Sequence, residues 1–189
     1  MTFRRTTCPQ CRAKLEPGQR IHAACIQAYA DAQQAKAERA AAKQARAAAK
    51  IERAEIRKRK EAVKSKAEWA REAQTAFNAY IRLRDDADPC ISCGRYHQGQ
   101  WHAGHYQSVG AHPEMRFLPL NCHKQCQPCN THLSGNHIEY RKRLIQRIGV
   151  DLVEKLEGPQ EAKRYTVDDL KAIKAEYTAK ARELRRLAA

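Results

Sequence analysis

The sequence predicts an α+β fold that is mostly α-helical, in which a long basic helix joins two cysteine-rich modules. Two observations lead to this prediction. No Gly or Pro occurs between Gly18 and Pro89, and the stretch is rich in Ala, Lys, Arg, Glu and Gln, which favour helices. The eight cysteines form two groups, three up to Cys25 and five from Cys90 onwards. A chain of 189 residues accommodates one ordinary domain or two small ones.

The charge balance restricts the classes of partner. Lys and Arg number 36 against 21 Asp and Glu, which gives a formal net charge of +15. Such an excess favours an anionic partner such as nucleic acid. No apolar run approaches the roughly 18 to 20 residues that a bilayer span requires, and the first residues lack an apolar signal core. We therefore expect a soluble, cytoplasmic protein without a membrane partner.

The N-terminal module, residues 1–28, carries a candidate metal site. Cys8 and Cys11 form a C-x2-C pair, and His22 and Cys25 complete the spacing C-x2-C-x10-H-x2-C. Three thiolates and one imidazole are a common ligand set for structural zinc. The alternative is a flexible basic tail in which the cysteines are incidental.

Residues 29–85 are predicted to form a basic helical arm, as one long helix or two. Between Lys36 and Lys66, twelve basic and four acidic residues give a net charge of +8. The densest point is the cluster Arg57-Lys58-Arg59-Lys60. Few large aliphatic residues occur before Trp69, so the arm is expected to project into solvent, where it either follows DNA phosphates or serves as a solvated spacer. Apolar residues at helical spacing from Trp69 to Leu83 predict docking on the next domain.

Residues 86–150 hold the second cysteine group and are predicted to form a compact domain. Two C-x2-C pairs, Cys90 with Cys93 and Cys126 with Cys129, have a spacing compatible with a β-hairpin and loop between two zinc knuckles. Four thiolates make a closed structural zinc site, and the metal would supply much of the folding free energy of so small a domain. A disulfide framework is the alternative, which a reducing compartment disfavours.

Helices are expected to follow this domain core. The segment from Ile138 to Ile148 is predicted to be a basic amphipathic helix that ends at Gly149, and its cations extend the predicted DNA-binding surface. These cations are Arg141, Lys142, Arg143 and Arg147. Residues 151–189 are predicted to be a loop and a C-terminal helix, which begins after Thr166 with acidic residues in its first turn and serves for packing or as a partner surface.

Polar residues around the second cysteine group indicate a catalytic site beside the zinc. His102, His105, His132 and His137 occur here together with Asn121 and Asn130. Phosphodiester hydrolysis needs a general base and a hard divalent cation, and a neutral imidazole can act as the base. Imidazole and amide oxygens also ligate Mg²⁺ or Mn²⁺, whereas the four thiolates select zinc.

These residues resemble the HNH, or ββα-metal, endonucleases that carry a zinc-knuckle frame. The phrases Asp88-Pro-Cys-Ile-Ser-Cys, Ala103-Gly-His-Tyr-Gln-Ser-Val-Gly and His123-Lys-Gln-Cys-Gln-Pro-Cys-Asn are similar, more narrowly, to the NinG/Rap recombination proteins of lambdoid phages. The resemblance implies a small zinc-framed HNH-like domain in which His105 is the general base. It further implies that Asn121 orients the base and that Asn130 ligates the catalytic cation.

One departure from the HNH pattern leaves the remaining ligands open. Many of these enzymes have Asp or Glu directly before the base, where this chain has Gly104. His102, His132 or Asp88 could complete the ligand set. We favour His102, which a bulge or kink at Gly104 would bring to the edge that carries His105.

The resemblance implies a metal-dependent endonuclease that cuts Holliday junctions and D-loops during phage recombination. Its cofactors would be one or two structural Zn²⁺ and a catalytic Mg²⁺ or Mn²⁺, and its partner would be branched DNA in the host cytoplasm. Symmetric cutting of a junction would favour a homodimer. The alternatives are a non-catalytic zinc-dependent DNA-binding module and a recombination adaptor that binds proteins through its helices. Cys122 is expected to be a small buried residue rather than a ligand.

Overall fold

The structure is a computed structural model that describes residues 6–188, and it divides into one unit that ends at Val63 and a second that begins at Lys64. The described residues are mostly helical and contain one two-stranded sheet, which agrees with the predicted α+β class. The helices and strands are α1 (Ile26–Ala62), α2 (Lys66–Arg84), β1 (Trp101–His105), β2 (Cys122–Cys126), α3 (His137–Ile148), α4 (Val150–Glu157) and α5 (Val167–Leu187).

The first unit consists of a short knuckle and the helix α1. A single antiparallel bridge joins Thr7 and Lys14, and a short 3₁₀ turn, Ala23–Cys25, leads directly into the helix. The 37 residues of α1 extend for about 55 Å at the usual rise per residue. None of them is buried, which confirms the prediction of a helix in solvent.

The predicted arm, residues 29–85, is interrupted rather than continuous. Helix α1 ends at Ala62, and α2 begins after Ser65 in the second unit. The Ser65 hydroxyl accepts a hydrogen bond from the backbone N–H of Glu68, whose carboxylate accepts one from the Ser65 N–H. This reciprocal cap starts a new helix without help from Gly or Pro, which explains why composition did not reveal the boundary.

Helices α2 and α5 pack together and form one hydrophobic core. The buried residues of α2 recur every fourth position and therefore lie on one face of the helix. They are Trp69, Ala73, Phe77 and Ile81. From α5, Leu170 and Tyr177 join the same core. Phe117 and Cys122 of residues 86–150 also belong to this core, so the predicted docking on that segment is confirmed, and α5 adds a second packing partner.

The two strands form a regular antiparallel hairpin. The five paired positions run without interruption from Trp101 opposite Cys126 to His105 opposite Cys122. One face of the hairpin packs on the α2 core, where Ala103 and Cys122 belong to that cluster. The opposite face meets α3, because the Tyr140 hydroxyl donates a hydrogen bond to the Gly104 carbonyl.

Two helices follow the hairpin in close succession. Helix α3 ends at Gly149 as predicted, and α4 begins one residue later, where the sequence indicated a loop. Val153 and Leu156 of α4 are fully or almost fully buried in a second core with Tyr106, Tyr140 and Leu144. Within residues 6–188, none of the helices combines the length and apolar character needed to cross a membrane.

Candidate metal centres and active site

Four cysteines of the second unit form a cluster that could hold a zinc ion. The Sγ atoms of Cys90, Cys93, Cys126 and Cys129 all lie within 4.8 Å of one another, and those of Cys93 and Cys126 are 4.0 Å apart. Tetrahedral zinc with bonds of about 2.3 Å places its sulfurs about 3.8 Å apart. The donor set and its spacing therefore fit the predicted structural zinc site.

Backbone geometry around the knuckles supports this cluster. The Cys126 N–H donates to the Cys90 Sγ at 3.4 Å, and the Gly94 N–H donates to the Cys90 carbonyl at 2.8 Å. Gly94 has φ +68°, a left-handed conformation, and the guanidinium of Arg143 lies against it where a side chain would otherwise stand. Glycine is therefore required at this turn.

The first unit holds a second cluster with the predicted members, Cys8, Cys11, His22 and Cys25, whose ligand atoms also lie within 4.8 Å. The Nε2 of His22 lies 3.1 Å from the Lys14 carbonyl, which can only accept a hydrogen bond, so Nε2 carries the proton. The Nδ1 lone pair is then free and faces the Cys11 Sγ at 3.3 Å. This is the tautomer that a metal ligand requires.

Cys122 lies outside both clusters. Its side chain is fully buried in the α2 core, and burial raises the pKa of its thiol well above the ordinary value. A neutral, buried thiol is neither a metal ligand nor a nucleophile. The prediction of a small buried residue is confirmed.

His105, the predicted base, is held at the end of β1. Its Nε2 lies 2.9 Å from the Arg116 carbonyl, and its ring stacks on Phe77 of α2. Because a carbonyl only accepts, Nε2 carries the proton and Nδ1 keeps its lone pair. Burial lowers the pKa of His105, and the nearby Arg116 charge lowers it further, against the opposing effect of the Arg116 carbonyl. The imidazole is therefore neutral at physiological pH.

Asn121 does not orient His105 by direct contact. Its side chain is fully buried and accepts a hydrogen bond from the Gln107 N–H at 2.7 Å. It donates to the Gln107 carbonyl at 3.0 Å and to the Met115 carbonyl at 3.4 Å. Asn121 thus fixes the loop between the strands, and Arg116 of the same loop supplies the carbonyl that accepts from His105. This correction follows from the backbone of residues 106–121, which motif spacing does not describe.

His102 and Asn130 meet, but on the opposite face of the hairpin from His105. The Nδ1 of His102 lies 2.9 Å from the Asn130 side-chain amide nitrogen. The pairing register is uninterrupted, so the bulge expected at Gly104 is absent from the hairpin, and strand alternation separates positions 102 and 105. The expectation that both imidazoles share an edge was wrong, whereas the association of His102 with Asn130 follows from the structure.

The other proposed ligands lie away from this pair. His132 is exposed at the end of the short turn Pro128–His132. Asp88 forms a salt bridge with Arg147, with 2.8 Å between the carboxylate and guanidinium atoms. Its carboxylate is therefore already paired with a cation.

A residue that the sequence did not single out lies beside His102 and Asn130. Gln125 is fully buried and pairs with His102 across the hairpin. Its Oε1 and the Nε2 of His102 are buried atoms without a hydrogen-bond partner among the described residues. A Cβ on Gly104 would lie 2.0 Å from that Oε1 and 3.0 Å from the Asn130 Oδ1. Recognition of Gln125 requires the strand register, which the sequence did not specify.

The predicted basic residues differ in whether they have intramolecular partners. On α3, Arg141 pairs with Glu157, Lys142 with Glu139, and Arg147 with Asp85, each at 2.7 Å. Arg143 donates to the backbone carbonyls of Ser92 and Cys93. These four cations thus have intramolecular partners, and Lys142, with 63% of its side chain exposed, is the most accessible of the three in salt bridges.

Helix α1 carries a stripe of cations, which are aligned because the helix is unbroken. Eight basic residues recur at intervals of three or four and lie on one side of the helix. We call these the basic stripe: Lys36, Arg39, Lys43, Arg46, Lys50, Arg53, Arg57 and Lys60. The stripe is about 36 Å long. Of the predicted cluster at 57–60, Lys58 and Arg59 point away from it.

Asp85 is a further residue that sequence reasoning missed. It is fully buried at the end of α2, where its carboxylate accepts hydrogen bonds from Arg84, Arg147 and the backbone N–H of Lys124. Burial raises the pKa of Asp85, but the two guanidinium groups and the backbone N–H more than compensate and lower it. The ionised carboxylate therefore joins α2, β2 and α3 beneath the hairpin.

Comparison with known proteins identifies the family. The NinG model, described as "Bacteriophage Lambda NinG protein", matches residues 2–187. The chain is 49% identical over 127 residues to Protein ninG of Salmonella phage P22 and to Protein ninG of Escherichia phage lambda. Each match covers 67% of this chain, which spans about 63% and 62% of the length of those relatives. No solved structure is significantly similar. The chain therefore belongs to the NinG family of bacteriophage proteins.

Proposed function

We propose that the chain is a metal-dependent DNA endonuclease that acts on branched recombination intermediates. The observation on which this proposal rests is the arrangement at β1. His105 is a neutral imidazole with a fixed proton on Nε2, and the adjacent Gly104 lies against the side-chain amides of Gln125 and Asn130. A structural zinc module alone does not need either feature.

His105 is suited to be the general base. Its Nδ1 lone pair would take a proton from water as the water oxygen forms a bond to phosphorus and the bond from phosphorus to the leaving sugar oxygen breaks. The Arg116 carbonyl would stabilise the imidazolium that results, because it already accepts the Nε2 proton. The lowered pKa keeps His105 ready to accept a proton at neutral pH.

The residue that would hold the catalytic cation is Asn130, through its Oδ1. His102 would position it, because the Asn130 amide N–H donates to the His102 Nδ1 and the proton of that ring is then on Nε2. Amide oxygens are ligands that Mg²⁺ or Mn²⁺ accepts. The Gln125 Oε1 beside this pair is buried and has no hydrogen-bond partner within residues 6–188, which supports a cation bound here. When bound, such a cation would stabilise negative charge on the phosphate and on the leaving oxygen. The two clusters that could hold zinc consist mainly of thiolates and differ from this group in chemistry.

The basic stripe of α1 would bind the DNA backbone. Its cations are exposed, and regular spacing along a straight helix suits a row of phosphates. Its length of about 36 Å is close to one helical turn of B-DNA. Contact of the stripe with a second duplex arm would favour branched over linear DNA.

The test is cleavage of a labelled four-way junction and of its linear duplex arms, with Mg²⁺ or Mn²⁺ present. The wild-type chain is expected to cut the junction, and His105→Ala is expected to lose this activity with unchanged zinc content. His112→Ala is the matched control, because His112 is half-buried and its side chain pairs with Glu114 rather than with a residue of the proposed site. Activity of His105→Ala equal to wild type would refute the assignment of the base.

A second candidate function is a zinc-dependent DNA-binding module without catalysis. It is favoured by Gly104, since no carboxylate stands directly before His105. If the wild-type chain and His105→Ala both bind the junction and neither cuts it, this second function is supported. Salt-insensitive or absent DNA binding would instead favour the adaptor role, in which helices contact other recombination proteins.

A further inference from the structure

The side-chain amide of Gln125 has a fixed orientation. One end lies 2.6 Å from the Gly135 carbonyl and 2.6 Å from the Ser92 hydroxyl. Because a carbonyl only accepts hydrogen bonds, that end is the Nε2 donor. The other end, Oε1, must therefore point away from Gly135, and within residues 6–188 it has no partner although Gln125 is fully buried. A buried amide oxygen without a donor is costly unless something else satisfies it.

The Oε1 points into the space that a side chain at position 104 would fill. It lies 2.0 Å from the ideal Cβ position of Gly104, and the Asn130 Oδ1 lies 3.0 Å from the same point. The two oxygens are therefore within 5 Å of each other, as the sum of those distances requires. The His102 ring, whose Nδ1 accepts a hydrogen bond from the Asn130 amide N–H, completes the group. Three side chains from β1, β2 and the turn after β2 converge beside Gly104.

We infer that Gln125 is a ligand of the catalytic cation, and that its Oε1 takes the place of the carboxylate that Gly104 lacks. This inference rests on the proposed function. An acceptor oxygen held by the second strand would perform the task of an acidic residue on the first, and Gly104 would be required because any Cβ would displace that oxygen. The departure from the HNH pattern at Gly104 is then a relocation of the ligand rather than its loss.

A neutral ligand set has a consequence for affinity. Gln125 and Asn130 contribute no negative charge, and hard divalent cations bind weakly to such sites unless another anion is present. The phosphodiester of bound DNA would supply that charge. Cation and DNA should therefore strengthen each other's binding, as thermodynamic linkage requires.

The experiment is a Mn²⁺ titration of the full-length, zinc-loaded chain, followed by the electron paramagnetic resonance signal of free Mn²⁺. Gln125→Ala is expected to weaken Mn²⁺ binding about tenfold or more. Ser92→Ala is the matched control, since it removes one partner of the Gln125 Nε2 but leaves the Oε1 and the Gly135 contact in place. Equal affinity of Gln125→Ala and wild type would overturn the inference, as would an equal loss in both variants.

A measurement on the wild-type chain covers the case in which Gln125→Ala fails to fold. Substoichiometric Mn²⁺ should broaden the side-chain amide resonances of Gln125 and Asn130 and the imidazole resonances of His102 before others. Broadening centred elsewhere would overturn the inference. Mn²⁺ bound at Gln125 without any DNA cleavage would refute the endonuclease alone, whereas cleavage that Gln125→Ala leaves unchanged would refute the ligand alone.

Discussion

The hydroxyl of Tyr140 donates a hydrogen bond to the Gly104 carbonyl at 2.9 Å and thereby fixes α3 against the centre of β1. The same hydroxyl lies 3.1 Å from the Nδ1 of His123, which donates to it. All of these atoms are buried. One tyrosine oxygen therefore joins α3 to both strands of the hairpin.

Tyr140→Phe is expected to lower the free energy of unfolding of the second unit by ~1–3 kcal/mol, because it leaves the Gly104 carbonyl and the His123 N–H buried without partners. The measurement is denaturant unfolding of the zinc-loaded chain. Tyr96→Phe is the control: Tyr96 is 72% exposed, and its hydroxyl donates to the Ala87 carbonyl at the surface. Similar losses in the two variants would contradict the role given to Tyr140.

The stability of the second unit should fall in mild acid because of His123. Burial, assisted by the nearby positive charge of Arg84, lowers the pKa of His123 to about 3. Above the unfolded-state pKa of about 6.5 both states are neutral, and below it only the unfolded chain takes up the proton. This contribution is therefore fully present at high pH and is lost as the pH falls from about 6.5 towards 3.

His123→Gln removes this titration and should flatten the pH dependence. Between pH 7.5 and pH 5.5 the wild-type chain should lose ~1.4 kcal/mol more than the variant. Unfolding curves at matched zinc concentrations provide the comparison, since thiolate protonation affects both proteins alike. If the free energy of unfolding depends on pH in the same way in both proteins over that range, His123 does not remain neutral in the folded state.

Each chain is expected to bind two zinc ions, one in each unit. Cys25→Ser should reduce the zinc content to one and leave the second unit folded, whereas Cys129→Ser should unfold the second unit, because its small cores rely on the metal. Metal analysis and circular dichroism measure both effects. Cys122→Ala should retain two zinc ions, and loss of one would contradict its assignment as a core residue.

The basic stripe should determine the salt dependence of DNA binding. Lys50→Ala combined with Arg53→Ala should lower the slope of log affinity against log salt by about 2, because each lost phosphate contact removes about 0.9. Lys58→Ala with Arg59→Ala removes the same charge from outside the stripe and should change the slope less. Equal slopes for the two double variants would show that α1 contributes only a diffuse charge.

Much of the fold could be predicted because the signals are local. The long helix, the end of α3 at Gly149 and both ligand clusters follow from composition and spacing. Helix α4 has only eight residues, too few for its apolar spacing to predict a helix, and its apolar face is evident only from its packing on α3. The break before α2 depends on a cap formed by Ser65 and Glu68, which is weak evidence in a stretch without Gly or Pro.

The candidate active site could be predicted only in part. His105 and Asn130 stand within quoted motifs and His102 directly precedes one, so residue type and spacing identify them. Gln125 and the Arg116 carbonyl enter through strand register and loop conformation, which are properties of the folded chain. A backbone carbonyl also has no sequence signature, because every residue carries one.

Helix α1 lacks buried residues, so its helicity rests on intrinsic propensity and on the interactions among its own side chains. Like charges three and four residues apart oppose the helix by ~0.2–0.5 kcal/mol per pair, and the basic stripe contains a series of such pairs. Counterions relieve this repulsion, and a polyanion would relieve it most. The helix–coil equilibrium of α1 is therefore linked to its ionic surroundings, and neutralisation by phosphates would increase the helical fraction of the segment that binds them.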